Sequence, residues 1–146
     1  MRYSEIDLQC EDIMWFGVGK NGAIFECTTG GIGNVPEFVC MSKETNETLC
    51  DYFVKTLSKS TSAILLCEYD EDNELLKDCI DLSENGIVCY DISEDEEKEG
   101  DYVKISVPEK NISIESLPNH IRNLLKDHIV DVDVLTNNLL HVNHAY

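Results

Sequence analysis

Two short apolar runs on either side of a glycine- and asparagine-rich break constrain the fold of this chain more than any other feature. Ile13 to Val18 is apolar, Gly19-Lys20-Asn21-Gly22 supplies turn residues, and Ala23 to Thr29 resumes a strand-like run. Asn-Gly between two such runs predicts a β-hairpin, because both residues accept positive φ. Gly30-Gly31-Ile32-Gly33-Asn34-Val35-Pro36 follows and suits neither helix nor regular strand. Ser42 to Leu57 predicts a helix capped by Ser42, with Leu49, Tyr52, Phe53, Thr56 and Leu57 at helical spacing. Ala63 to Tyr69 suits a buried strand. Glu71 to Leu82 predicts a second helix, stopped by Asn85-Gly86. Ile87 to Ile92 and Asp101 to Val107 read as antiparallel strand neighbours. Pro118 to Asp127 reads as a third helix with Ile121, Leu124 and Leu125 inward. Ile129 to Leu135 alternates like an edge strand that could pair across a dimer. The expectation is one α+β domain over residues 1–146, a mainly antiparallel sheet with about three helices packed on it.

Charge narrows the function classes. The chain carries 29 Asp and Glu against 11 Lys and Arg, a net charge of −18 on 146 residues. Such a field repels nucleic acid and anionic membrane and draws in basic surfaces. Asp91 to Asp101, the acidic connection between two predicted strands, holds seven acids and one Lys, and reads as a solvated, mobile loop. Removing it leaves 22 acids against 10 bases, so the acidity is global. No apolar stretch approaches the roughly 20 residues of a membrane span, and the N-terminus lacks a signal-peptide pattern. The expected compartment is the cytoplasm.

The seven cysteines, Cys10, Cys27, Cys40, Cys50, Cys67, Cys79 and Cys89, are scattered singly with no CxxC pair. They read as reduced thiols, mostly small buried hydrophobes. No metal or other cofactor is expected. His141 and His144 could share a helical face, yet no third ligand stands near them in sequence. His120 and His128 are isolated.

Motifs for catalysis are sparse. Gly17-Val18-Gly19-Lys20-Asn21-Gly22 matches GxGxxG, but Ala23 to Thr29 favours a strand where a dinucleotide site needs a helix, so it reads as the hairpin turn. No cysteine stands in a nucleophile motif, and no catalytic residue is assigned. Gly30, Gly31 and Gly33 could let a ligand or partner approach backbone N–H groups, although a tight strand-to-helix passage explains them as well. Trp15 is a candidate contact there, although as the single Trp beside Ile13 and Phe16 it reads first as a core residue.

Three segments carry a resemblance. They are Trp15-Phe16-Gly17-Val18 through Lys20-Asn21-Gly22-Ala23-Ile24 to Thr28-Thr29-Gly30-Gly31 and Val35-Pro36-Glu37; Asn85-Gly86-Ile87-Val88-Cys89-Tyr90-Asp91; and Tyr102 to Pro108 running on to Ile114-Glu115-Ser116-Leu117-Pro118. In that order they resemble small bacterial proteins similar to immunity proteins of contact-dependent and polymorphic toxin systems. The resemblance spans about residues 13 to 125 and rests on turn and strand signatures. It departs from the group's pattern in the third segment, where the basic content of the strand is reduced to Lys104. It implies a cytoplasmic antidote that binds a toxin without chemistry, and it assigns no toxin-contact residue.

Charge and resemblance together predict a non-enzymatic inhibitor of a basic protein partner. Its expected contacts are Glu94, Asp95, Glu96, Glu97, Glu99 and Asp101, with Glu68, Asp70, Glu71 and Asp72 at the rim. One alternative is a small-ligand or enzymatic site at the Gly30–Pro36 loop, with a deep pocket walled by that loop and Trp15. Another is an acidic adaptor or oligomeric protein.

Overall fold

The expected hairpin is present in the computed structural model, which describes residues 1–146. Strand β1 (Met14–Val18) runs antiparallel to β2 (Ile24–Thr28), with Met14 opposite Thr28 and Val18 opposite Ile24. The turn chemistry differs from expectation. Asn21 does not take positive φ; Gly22 alone does, at 86°. The Gly22 N–H donates to Gly19 O at 3.0 Å and the Gly19 N–H to Ala23 O at 2.8 Å. This is a three-residue loop with an αL glycine, which needs only one such residue. A strand follows the GxGxxG letters, as expected, and no helix does.

β2 then pairs in parallel with β4 (Val88–Ile92), Phe25 opposite Val88 and Glu26 opposite Cys89. β4 pairs antiparallel with β5 (Tyr102–Pro108), as expected, with an irregularity between Cys89 and Tyr90. Two short strands share the far edge of β5: β3 (Ala63–Leu65) opposite Ser106–Pro108, and β6 (Leu139–Leu140) opposite Tyr102–Val103. The six-stranded sheet is thus mainly antiparallel with one parallel seam.

Every residue of β2 is buried, because both faces of the sheet are covered. On one face, Trp15, Phe25, Cys27, Tyr90 and Tyr102 pack against Tyr3, Leu8, Val39 and the C-terminal residues Val134, Leu140 and Val142. On the other, Phe16, Val18, Ile24 and Cys89 pack under Leu49, Phe53, Cys79, Leu82, Ile121 and Leu125.

Five helices form rather than about three: α1 (Glu5–Cys10), α2 (Glu37–Cys40), α3 (Lys43–Asp51), α4 (Glu74–Glu84) and α5 (Asn119–Leu125). A capping box starts α1: the Asp7 N–H donates to Ser4 Oγ at 3.1 Å, and the Ser4 N–H to Asp7 Oδ2 at 2.8 Å. Ser42 caps α3 as expected, and the helix continues through a wider turn, Tyr52–Thr56. Pro118 sits just ahead of the first turn of α5.

Two strand expectations fail. Only Ala63–Leu65 of the Ala63–Tyr69 run is strand, and it is an edge, with Ile64 and Leu66 both 48% exposed. Ile129–Leu135 forms no strand of the sheet. The Val18 N–H donates to His128 O and the Val130 N–H to Val18 O, so the segment closes the open side of β1. Its apparent alternation comes from Val130 and Val134 turning into the core.

Gly86 ends α4 with φ of 96°, and a Cβ there would meet Ile112 Cγ2 at 2.6 Å and Ile112 N at 3.0 Å. Gly86→Ala is therefore expected to lower stability by more than the ~1 kcal/mol that positive φ alone costs. Urea unfolding checks this, and an unchanged midpoint would contradict it.

Candidate functional site

The sheet topology gathers acids at one end. β2 and β4 run parallel and β1 and β5 run against them. The exits of β2 and β4 and the entrances of β1 and β5 therefore share one end of the sheet. Glu11-Asp12 precedes β1, the glycine loop follows β2, and Ser93–Asp101 joins β4 to β5.

The acidic connection is an ordered loop, contrary to its composition. Its neck is closed by the Ser93 N–H donating to Asp101 O at 2.8 Å. Asp95 Oδ1 accepts from the Glu97 N–H at 3.0 Å and starts a 3-10 turn, Glu96–Lys98. The Asn34 N–H donates to Gly100 O at 2.9 Å, tying the acidic loop to the glycine loop. Glu94, Asp95, Glu96, Glu97 and Glu99 are exposed and none makes an ion pair. Asp101 turns aside to His141, Oδ1 to Nδ1 at 2.6 Å, and this contact raises the imidazole pKa. Glu68, Asp70, Glu71 and Asp72 are exposed and unpaired too. Cys67, just before them, lies close enough to Asp91 for that carboxylate to raise its thiol pKa, after burial and Cys79. Asp91 itself is pushed up, first by burial and then by the charges of Asp12 and Glu94. Like charges thus crowd one another here.

Of the glycines, Gly30 donates its N–H to Asp12 Oδ1 at 2.8 Å, and Gly33 lies against the Tyr102 hydroxyl. Tyr102 donates that hydroxyl to Asn34 O at 2.6 Å. A recess of about 240 Å³ opens between Gly31, Gly33, Asn34, Glu99 and His144. It is shallow, and Trp15 takes no part in it. Trp15 is 0% exposed, edge-on to Phe25, Phe38 and Tyr102, so it presents no surface to a partner. His141 and His144 share no helix: residues 141–146 are irregular chain. His144 Nδ1 accepts the Val35 N–H at 2.9 Å. His128 is buried, which lowers its pKa, with Nδ1 at 3.1 Å from Phe16 O.

A concavity of about 500 Å³ was not expected. Glu11 and Asp12 line one side, Glu47 and Asp51 of α3 the other, with Asn46 and Cys50 between. Asn46 gives both amide hydrogens away, to Tyr3 OH at 3.1 Å and Met14 O at 3.0 Å. Its buried Oδ1 has no partner. Burial and then Glu26, Asp51 and Glu47 push the Cys50 thiol up to about 12. Four carboxylates thus line it, of which Asp51 pairs with Lys55 at 3.1 Å. The four lie in two segments over thirty residues apart, which no local motif marks.

A different polar cluster lies inside. Glu26 on β2 is wholly buried, and its ligand oxygen lies within 4.8 Å of the thiols of Cys79 on α4 and Cys89 on β4. Glu26 Oε1 accepts from Thr28 Oγ1 at 2.5 Å, whereas Oε2 has no partner. Burial pushes this carboxyl up to about 8 and the Cys89 thiol well above its ordinary value. All seven cysteines are free thiols; Cys27, Cys40, Cys79 and Cys89 are buried and Cys10 and Cys67 exposed.

No family model, curated protein or solved structure matches the chain. No helix is long and apolar enough to cross a membrane.

Proposed function

We propose that this protein is a non-enzymatic binding protein, an immunity-type inhibitor that neutralises a basic toxin domain through the acidic end of its sheet. One observation carries the reading: the carboxylates of residues 94–99 stand exposed and unpaired on a loop that is held in place. Unpaired like charges raise the free energy of the free protein, and a cationic partner relieves that repulsion. A fixed loop also loses little conformational entropy on binding. The cleft of Glu11, Asp12, Glu47 and Asp51 would take an Arg or Lys of the partner.

The test begins with capture of the partner on tagged protein at low salt and its release at high salt. Stopped-flow association of the purified pair follows. Replacing Glu94, Asp95, Glu96 and Glu97 with their amides is expected to slow association by roughly ten- to a hundredfold at low ionic strength, with the difference fading as salt rises. These side chains are exposed, so stability should stay within about 0.5 kcal/mol. An acidic partner, or association indifferent to salt, would sink the reading. So would failure of co-production to restore growth to cells making the partner.

A further inference from the structure

We propose that Glu26, Cys79 and Cys89 form a buried site for a single thiophilic divalent cation of the zinc class. The three donors come from β2, α4 and β4, and Glu26 and Cys89 are direct partners across the parallel seam. All three residues are buried, and their ligand atoms already lie within 4.8 Å of one another. Tetrahedral zinc holds sulfur at about 2.3 Å and carboxylate oxygen at about 2.0–2.2 Å, so donors end some 3.5–3.8 Å apart. Closing the present spacing needs a shift of about an ångström, within the reach of rotamer adjustment on a helix and two strands. Two thiolates and one carboxylate select a borderline-soft ion over Mg²⁺ or Ca²⁺, which prefer all-oxygen shells.

An independent observation points the same way. Glu26 Oε2 is buried with no hydrogen-bond partner, a condition that ordinarily costs free energy. A cation bound by that oxygen removes the cost. The surroundings help draw one in: Asp78 and Asp91 both act on the Glu26 carboxyl. Ser83 Oγ, 3.8 Å from Cys89 Sγ, supplies a hydroxyl beside the cluster.

The chemistry balances by proton release. Each donor that holds a proton in the metal-free state must release it, so binding one M²⁺ by two thiolates and one carboxylate sends up to three H⁺ to solvent and leaves the site with one net negative charge. Affinity therefore climbs as pH rises.

The full-length reduced protein, stripped with chelator, is titrated with Co²⁺ and then Zn²⁺. The expected result is one equivalent of Co²⁺ with thiolate-to-cobalt charge-transfer absorption and the intense visible bands of tetrahedral cobalt, both displaced by Zn²⁺. Cys79→Ser and Cys89→Ser should each lower affinity beyond the 10–100-fold that outer-shell changes cost. Glu26→Gln should weaken binding while keeping the sulfur charge-transfer band. The Cys10→Ser/Cys67→Ser variant should bind as the parent does. Absence of the charge-transfer band in the unmodified protein overturns the proposal, whatever the variants do. A band abolished by removing Cys10 and Cys67 also overturns it.

Discussion

Replacing Glu26 with glutamine is expected to flatten the dependence of stability on pH and to make the metal-free protein more stable above neutrality. The Glu26 carboxyl titrates near 8 in the folded protein and near 4.5 once exposed. Between those values the folded state keeps a proton that the unfolded state releases. Stability contributed by this group is then full below about 4.5 and falls by about 1.4 kcal/mol for each pH unit until the folded group ionises. The direction is opposite to that of a salt-bridged carboxylate, whose contribution is lost on acidification. Glutamine keeps the shape, can accept from Thr28, and never ionises. Urea unfolding with chelator present, at pH 5 and pH 8, should show the two proteins close at the lower value. At the higher, the variant should lead by a few kcal/mol. His128 and His141 also titrate differently on folding, but they are common to both proteins and cancel. Parallel curves for the two would show that Glu26 does not carry a proton at this site.

Trp15→Ala should lower stability by about 3–5 kcal/mol. That is a large share of the 5–15 kcal/mol holding a typical domain together. Trp15 is fully buried, with rings of Phe25, Phe38 and Tyr102 centred 5.6, 6.0 and 5.8 Å away. Its Nε1–H donates to Tyr102 OH at 3.3 Å, and Tyr102 in turn holds Asn34 at the base of the glycine loop. The cavity would therefore open beneath the proposed binding face and loosen Gly33 and Asn34. Trp15→Phe refills part of the space and should lose markedly less. Far-UV circular dichroism in a urea series separates the two; equal losses would mean the indole edge contributes nothing.

The parts of the fold visible in the sequence are those specified locally. Ser42, Asn85-Gly86 and the Gly19–Gly22 turn announced element ends because each residue satisfies backbone geometry within a few positions of itself. The β4–β5 pairing was legible from two adjacent apolar runs. α1 was missed although Ser4 and Asp7 stand at capping-box spacing, because the acids around them read as surface. What stayed hidden depends on chain segments far apart meeting. The alternation of Ile129–Leu135 is the same whether the segment pairs as a strand or caps β1, and only the vacancy beside Val18 decides. Acidic residues 94–99 were legible as a charged surface, but their order was not, since it comes from Asn34 and a neck hydrogen bond. Glu26 gave no sign at all. In Phe25-Glu26-Cys27 it looks like an outward-facing strand residue, and it is buried because α4 covers that face.

The parallel seam between β2 and β4 sets the order in which this chain can fold. Phe25 meets Val88 across more than sixty intervening residues, whereas each flanking hairpin closes over a short connection. Loop closure over that span is slow relative to hairpin formation. Until it happens, two half-sheets each expose an unpaired inner strand to neighbouring chains. Glu26 then stands on the unpaired strand of one half, and in water its carboxyl is ionised. The same side chain that is a burden in the finished core is thus a charge on the unfinished one, of the kind that disfavours edge-to-edge pairing.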